Sequence, residues 1–139
     1  MIKTGQQHLE SLKDGRVVYI GDEKIEDVTT HPAFMRAAQT VAHLYDIKHE
    51  VKNQEILTYE ESGERYSTWF LRAKSRDDLR SRMKAHKMIA DQTCGMMGRS
   101  MDHVSSFVTG MATNPSVFDT EEYQFADNIL AYYEYMKKH

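Results

Sequence analysis

Residues 75–113 hold the strongest constraint on what this chain can fold into. Ser75 and Asp78 have the spacing of a capping box, in which a hydroxyl and a carboxylate satisfy the free N–H groups at a helix start. Behind them Leu79, Met83, His86 and Ala90 recur at helical spacing, so one face of a long helix is predicted to meet a core. The pattern ends at or near Gly95 or Gly98. Ser100 can cap a fresh helix, and Val104, Phe107, Val108 and Met111 form its apolar stripe until Asn114-Pro115 stops it. Two consecutive amphipathic helices must bury their stripes against other elements, so helix-on-helix packing dominates the expected architecture.

The flanking segments supply those partners. Thr4 can cap a short helix through residues 5–14, and Gly15 breaks it before RVVYI, a strand by its β-branched and aromatic content. Gly21-Asp22 followed by EKIEDV predicts a small hairpin. A helix is expected from THP, with Pro32 in its first turn, through Phe34, Ala37, Val41, Leu44 and Tyr45. ILTYEESGERYSTWFL predicts a second hairpin turning at Ser62-Gly63, and a last helix is expected from about Thr120 with Phe125, Ile129, Tyr133 and Met136 on one face. The fold class expected is mainly α, with two small β-hairpins. Tyr123, Phe125, Tyr132, Tyr133 and Tyr135 crowd the last helix. They either complete the core with their hydroxyls at the rim or present a surface for something else.

With 139 residues and only two well-separated prolines, one domain spanning residues 1–139 is the expectation. The net charge of -3 argues against polyanion binding, so no nucleic-acid partner is expected. No apolar run approaches the roughly 18 residues of a membrane span, and the N-terminus lacks a signal-peptide apolar stretch. A single cysteine, Cys94, excludes an internal disulfide and fits a reducing, cytoplasmic setting.

The candidate chemistry narrows quickly. His43, His49, His86 and His103 show no metal-ligand spacing, so no metal is expected. Cys94 has no histidine fixed beside it and reads as a small packed residue. Neither GxGxxG nor a P-loop motif occurs, and Glu60-Glu61 and Asp77-Asp78 are explained by a hairpin turn and a helix first turn. Arg76, Arg80, Lys84 and Lys87 form a solvated basic face. CGMMGRSMDHV, residues 94–104, remains. Its glycines relax a helix junction, letting Arg99 emerge with His103 one turn later on the same face. A permanent cation beside a group titrating near neutrality can bind and orient a phenol or an oxyanion. On spacing alone, Arg99 pairing with Asp102 and a half-buried His103 is the competing reading.

Three stretches in order, KTGQQHLESLKDGRVVYIGDEKIEDVTTHPAF, LTYEESGERYSTWFL and ADQTCGMMGRSMDHV, resemble the N-terminal region of the 4-hydroxyphenylacetate 3-hydroxylase family, oxygenase components of two-component flavin monooxygenases. The resemblance implies an acyl-CoA-dehydrogenase-like fold whose helical N-terminal domain is residues 1–139. The family's β-barrel and C-terminal helical bundle are absent from this sequence, and the family assembles as a tetramer. It implies reduced FAD from a separate reductase, molecular oxygen, and hydroxylation of a phenol such as 4-hydroxyphenylacetate ortho to its hydroxyl. Arg99 matches the arginine of the family's GMMGRS motif and would bind the phenolic oxygen or the peroxide. His103 matches a tyrosine-or-histidine position and would bind the same oxygen or accept its proton. Met101 stands where the family often has proline. Most flavin-binding residues, and a further substrate histidine that His139 does not match, fall beyond residue 139. These residues by themselves are therefore expected to be inactive, to bind flavin weakly or not at all, and to self-associate. A related dehydratase branch carries an iron–sulfur cluster on two cysteines, but Met96 and Ser100 occupy those positions, so the thiolate anchors are missing. The alternative to an enzyme is a non-catalytic helical interaction domain of the same descent.

Overall fold

The computed structural model describes residues 2–96 and 101–138, without the side chains of Met101 and Asp102. Helices α1 (Gly5–Ser11), α2 (Met35–Asp46), α3 (Val51–Leu57), α4 (Arg76–Gln92), α5 (Met101–Thr113) and α6 (Ala126–Lys138) dominate. Two antiparallel hairpins interrupt them: β1 (Val18–Ile20) with β2 (Glu23–Ile25), and β3 (Thr58–Glu61) with β4 (Glu64–Ser67). The mainly α fold with two small hairpins is thus observed. Among the described residues no helix is long and apolar enough to cross a membrane. The chain divides into two compact units, residues 3–50 and residues 51–139 with the first two residues.

In the unit of residues 3–50, Thr4 caps α1. Its Oγ1 accepts from the Gln7 N–H at 3.1 Å, and Gln7 Oε1 accepts from the Thr4 N–H at 2.9 Å. α1 ends at Ser11, earlier than expected. It approaches α2 so closely that the Gly5 N–H donates to Asp46 Oδ1 at 2.6 Å, and a Cβ on Gly5 would lie 2.6 Å from the Ala42 carbonyl oxygen. Only glycine fits there. α2 begins at Met35 rather than at Pro32, because Asp27 organises a turn first: its Oδ1 accepts from the Thr29 N–H and hydroxyl at 2.7 and 2.6 Å, and its carbonyl from the His31 N–H at 3.0 Å. Ala38, Ala42, Leu44 and Ile47 are buried, whereas Ala37 is exposed.

In the unit of residues 51–139, α3 was not expected: it takes in Ile56 and Leu57, which the sequence pattern gives to the hairpin, and runs straight into β3. The β3–β4 register pairs Thr58 with Ser67 and Glu61 with Glu64. Ser62 and Gly63 both take positive φ, 55° and 80°, which matches strand twist in a two-residue hairpin turn. After Ser67 the chain leaves the strand for a 3-10 turn, Thr68–Phe70, where extension of the hairpin was expected. The α4 capping box forms as expected, with the Asp78 N–H donating to Ser75 Oγ at 3.1 Å. α6 starts at Ala126 instead of near Thr120, because Asp119 Oδ1 accepts from the Phe125 and Ala126 N–H groups at 2.7 and 2.9 Å.

The expected faces of α4 and α5 are corrected. Leu79 and Met83 are 59% and 66% exposed, and Val104 and Phe107 are 52% and 67% exposed. Val108 is buried as expected, but it is joined by Ser105, Thr109 and Ala112 of α5, and the buried residues of α4 are Ala85 and Ile89. The physical cause is the 3-10 turn. Its backbone carbonyls point into the unit and must be satisfied there, which draws polar side chains inward. The Trp69 carbonyl accepts from Arg82 Nη1 at 2.8 Å and Thr109 Oγ1 at 3.3 Å. The Phe70 carbonyl accepts from the Tyr133 and Tyr59 hydroxyls at 2.6 and 3.2 Å, and the Leu71 carbonyl from Arg82 Nη1 at 2.8 Å. An apolar cluster of Val108, Ala112 and Tyr133, with Phe70, Ile129, Leu130 and Met136 against it, closes over these bonds.

Candidate active site

The junction after α4 is built to turn sharply. Thr93 ends the helix with its hydroxyl donating to the Ile89 carbonyl at 3.0 Å, and Cys94 and Gly95 then take left-handed φ of 51° and 74°. The Gly95 N–H closes the turn on the Ala90 carbonyl at 2.9 Å. Cys94 is exposed in this turn, correcting its reading as a packed residue. Arg99 and Ser100 lie outside the described residues, so Arg99 stands as an expectation from sequence.

His103 is described. It lies in the first turn of α5 and is exposed, not half-buried as the competing reading had it. Phe107, four residues on, neighbours it on α5, and Val104 neighbours Phe107 in turn, both apolar and exposed. One titratable imidazole therefore borders an uncovered apolar strip. On the inward side of the same helix, Ser106 Oγ accepts from Arg82 Nη2 at 2.7 Å and lies 3.5 Å from His86 Nε2. Burial lowers the pKa of Arg82, though a guanidinium stays charged throughout the physiological range. Burial first, then its neighbour Tyr133, raises the pKa of Tyr59, so the Tyr59 hydroxyl at the Phe70 carbonyl remains a neutral donor.

Arg82 is the residue that hydrophobic patterning passes over. The neighbouring cations Arg76, Arg80, Lys84 and Lys87 are exposed as expected, but Arg82 turns inward. Its signal was available in its spacing, since residues 82, 85 and 89 share a helical face with buried Ala85 and Ile89.

The last helix also resolves its two readings. Only Tyr133 among its tyrosines enters the core, while Tyr132 and Tyr135 stack on each other at 6.5 Å in the open and Tyr123 stacks on Phe125 at 5.8 Å. Lys137 is buried and paired with Glu61 and Glu134 at 2.7 and 2.9 Å. No group of three metal-capable side chains occurs among the described residues.

A family model described as "4-hydroxyphenylacetate 3-hydroxylase N terminal" matches residues 4–139. This chain belongs to that family. It is 42% identical over 139 residues to the oxygenase component of 4-hydroxyphenylacetate 3-monooxygenase from Thermus thermophilus, covering 99% of this chain and 28% of that protein. A crystal structure of such an oxygenase component, complexed with FAD and 4-hydroxyphenylacetate, superposes with a TM-score of 0.90 at 40% identity, over 98% of this chain and 28% of that one. An archaeal 4-hydroxybutyryl-CoA dehydratase from N. maritimus superposes at TM-score 0.80 with 17% identity, over 99% of this chain and 28% of that one, a likeness of fold alone. The family member described here thus spans little more than a quarter of the relatives it matches.

A flavin pyrophosphate buried against this segment would need donors that no other group already satisfies. Among the described residues every buried side-chain nitrogen and oxygen has a hydrogen-bond partner. Among the described residues no buried side-chain donor is thus left over for a flavin pyrophosphate.

Proposed function

We propose that residues 1–139 act as the helical N-terminal domain of an oxygenase component that hydroxylates a phenol, such as 4-hydroxyphenylacetate, ortho to its hydroxyl. The family match along residues 4–139 carries this reading. Reduced FAD, supplied by a separate flavin reductase in the cytoplasm, would activate molecular oxygen, and the working assembly would be a homo-tetramer. The chain's own part is to bind and orient the phenol. Arg99 donates hydrogen bonds to the phenolic oxygen and favours its anionic form, which raises electron density at the ortho carbon. His103 holds or accepts the phenol proton on a ring nitrogen. The apolar strip of Val104 and Phe107, once covered, excludes water and strengthens both interactions.

The test uses the complete oxygenase carrying this segment, with a flavin reductase, NADH and 4-hydroxyphenylacetate, reading catechol by chromatography. Wild type should form catechol, and Arg99→Ala should lose at least about a hundredfold in product while keeping its circular dichroism spectrum. Wild-type coupling of flavin oxidation to catechol in Arg99→Ala would end the assignment. The exposed stacked tyrosines favour a second reading, a non-catalytic helical interaction domain, which stands if the wild type forms no catechol with any phenol tried.

A further inference from the structure

α5 is held by hydroxyls as well as by a short apolar contact through Val108 and Ala112. Its buried face is Ser105, Val108, Thr109 and Ala112, none larger than valine, whereas Val104 and the bulky Phe107 face outward. Apolar contact is non-directional, and small side chains give it little shape with which to fix a helix's rotation. Directional bonds do that here. Thr109 Oγ1 donates to the Trp69 carbonyl at 3.3 Å, and Ser106 Oγ accepts from Arg82 Nη2 at 2.7 Å. The same guanidinium holds the Trp69 and Leu71 carbonyls at 2.8 Å through Nη1, with the Thr68 carbonyl at 3.5 Å. One rigid planar group therefore ties the 3-10 turn, α4 and α5 together, and its tie to α5 falls three residues after His103.

Resting on the hydroxylase reading above, we infer that Arg82, acting through Ser106, is a positioning residue that sets the rotation of the first turns of α5 and so the aim of His103. Ser106 accepts from Arg82, which leaves its own proton for another acceptor. His86 Nε2, at 3.5 Å, is such a group when the ring carries its proton on Nδ1. The chain of groups Arg82, Ser106 and His86 orders α5 from its inner side while His103 works on the outer.

The experiment compares Ser106→Ala, Ser106→Thr and Arg82→Lys with wild type in the complete oxygenase, using Arg80→Ala on the exposed basic face as control. Two readouts are taken: amide hydrogen exchange across residues 101–107 against residues 129–136, and kcat, KM and catechol formed per reduced flavin consumed. Ser106→Ala and Arg82→Lys should speed exchange in residues 101–107 only and lower kcat and coupling about tenfold with KM changed less, the signature of misaligned groups. Ser106→Thr, which keeps the hydroxyl, should restore both, and Arg80→Ala should change neither. The inference is overturned if Ser106→Ala keeps native coupling, if coupling falls without local loosening, or if Ser106→Thr fails to rescue. If wild type forms no catechol while Ser106→Ala still loosens residues 101–107, the hydroxylase reading fails and the anchoring of α5 by Arg82 stands.

Discussion

The two compact units solve the same packing problem in opposite ways. In residues 3–50, α1 meets α2 through the absence of a side chain at Gly5, with Asp46 accepting from the Gly5 N–H, and with buried alanines and Leu44 on α2. In residues 51–139, the elements gather around the carbonyls of a 3-10 turn that accept from Arg82, Thr109, Tyr59 and Tyr133. The first arrangement depends on steric fit and the second on direction. With directional bonds beside Val108 and Ala112 on the inner face of α5, Val104 and Phe107 are left outside, and they form the exposed strip beside His103.

Substitutions can break this contrast. The largest effect is expected at Arg82→Met, which strips bonds from the Trp69 and Leu71 carbonyls and from Ser106 at once. It should cost about 3 kcal/mol in urea unfolding. A loss near zero would mean that apolar packing, not the guanidinium, holds the second unit. Gly5→Ala should follow at about 2 kcal/mol, since the added methyl cannot be placed without separating α1 from α2; tolerance would show that the helix contact is plastic. Tyr133→Phe should cost about 1 kcal/mol, because the Phe70 carbonyl keeps the Tyr59 hydroxyl as a donor.

The smallest expected effect concerns pH. The hydrogen bond from Lys137 holds Glu61 below the usual glutamate value of 4.5, against a smaller opposing effect of burial. A depressed folded pKa stabilises the fold above the unfolded value and loses that contribution as pH falls through the folded one. Melting temperature should therefore drop on acidification below about pH 4.5 slightly less in Glu61→Gln than in wild type. Equal acid limbs for the two proteins would remove the pair from the account.

Local chemistry was readable wherever a few adjacent residues close their own hydrogen bonds. Thr4 and the Ser75/Asp78 box start helices, Ser62-Gly63 turns a hairpin, and Asn114-Pro115 stops α5 as their spacing says. α3 lacked such signals and was missed. The starts of α2 and α6 shifted because Asp27 and Asp119 bind backbone N–H groups that the helical pattern alone would have enrolled. The candidate site was half legible: the motif pointed to Arg99 and His103 and helical spacing put Arg82 on a buried face, whereas the bonds that Ser106 and Arg82 make emerge only when the acceptors and donors around them are known.

What the sequence by itself determined is the mainly helical class, the two hairpins, the family, and the motif holding Arg99 and His103, because caps, turns and motifs are written in neighbouring residues. Which face of α4 and α5 turns inward was decided only in the tertiary structure. The carbonyls of Trp69, Phe70 and Leu71 belong to a turn distant in sequence, and a buried acceptor draws in donors whatever the hydrophobic spacing of their helices.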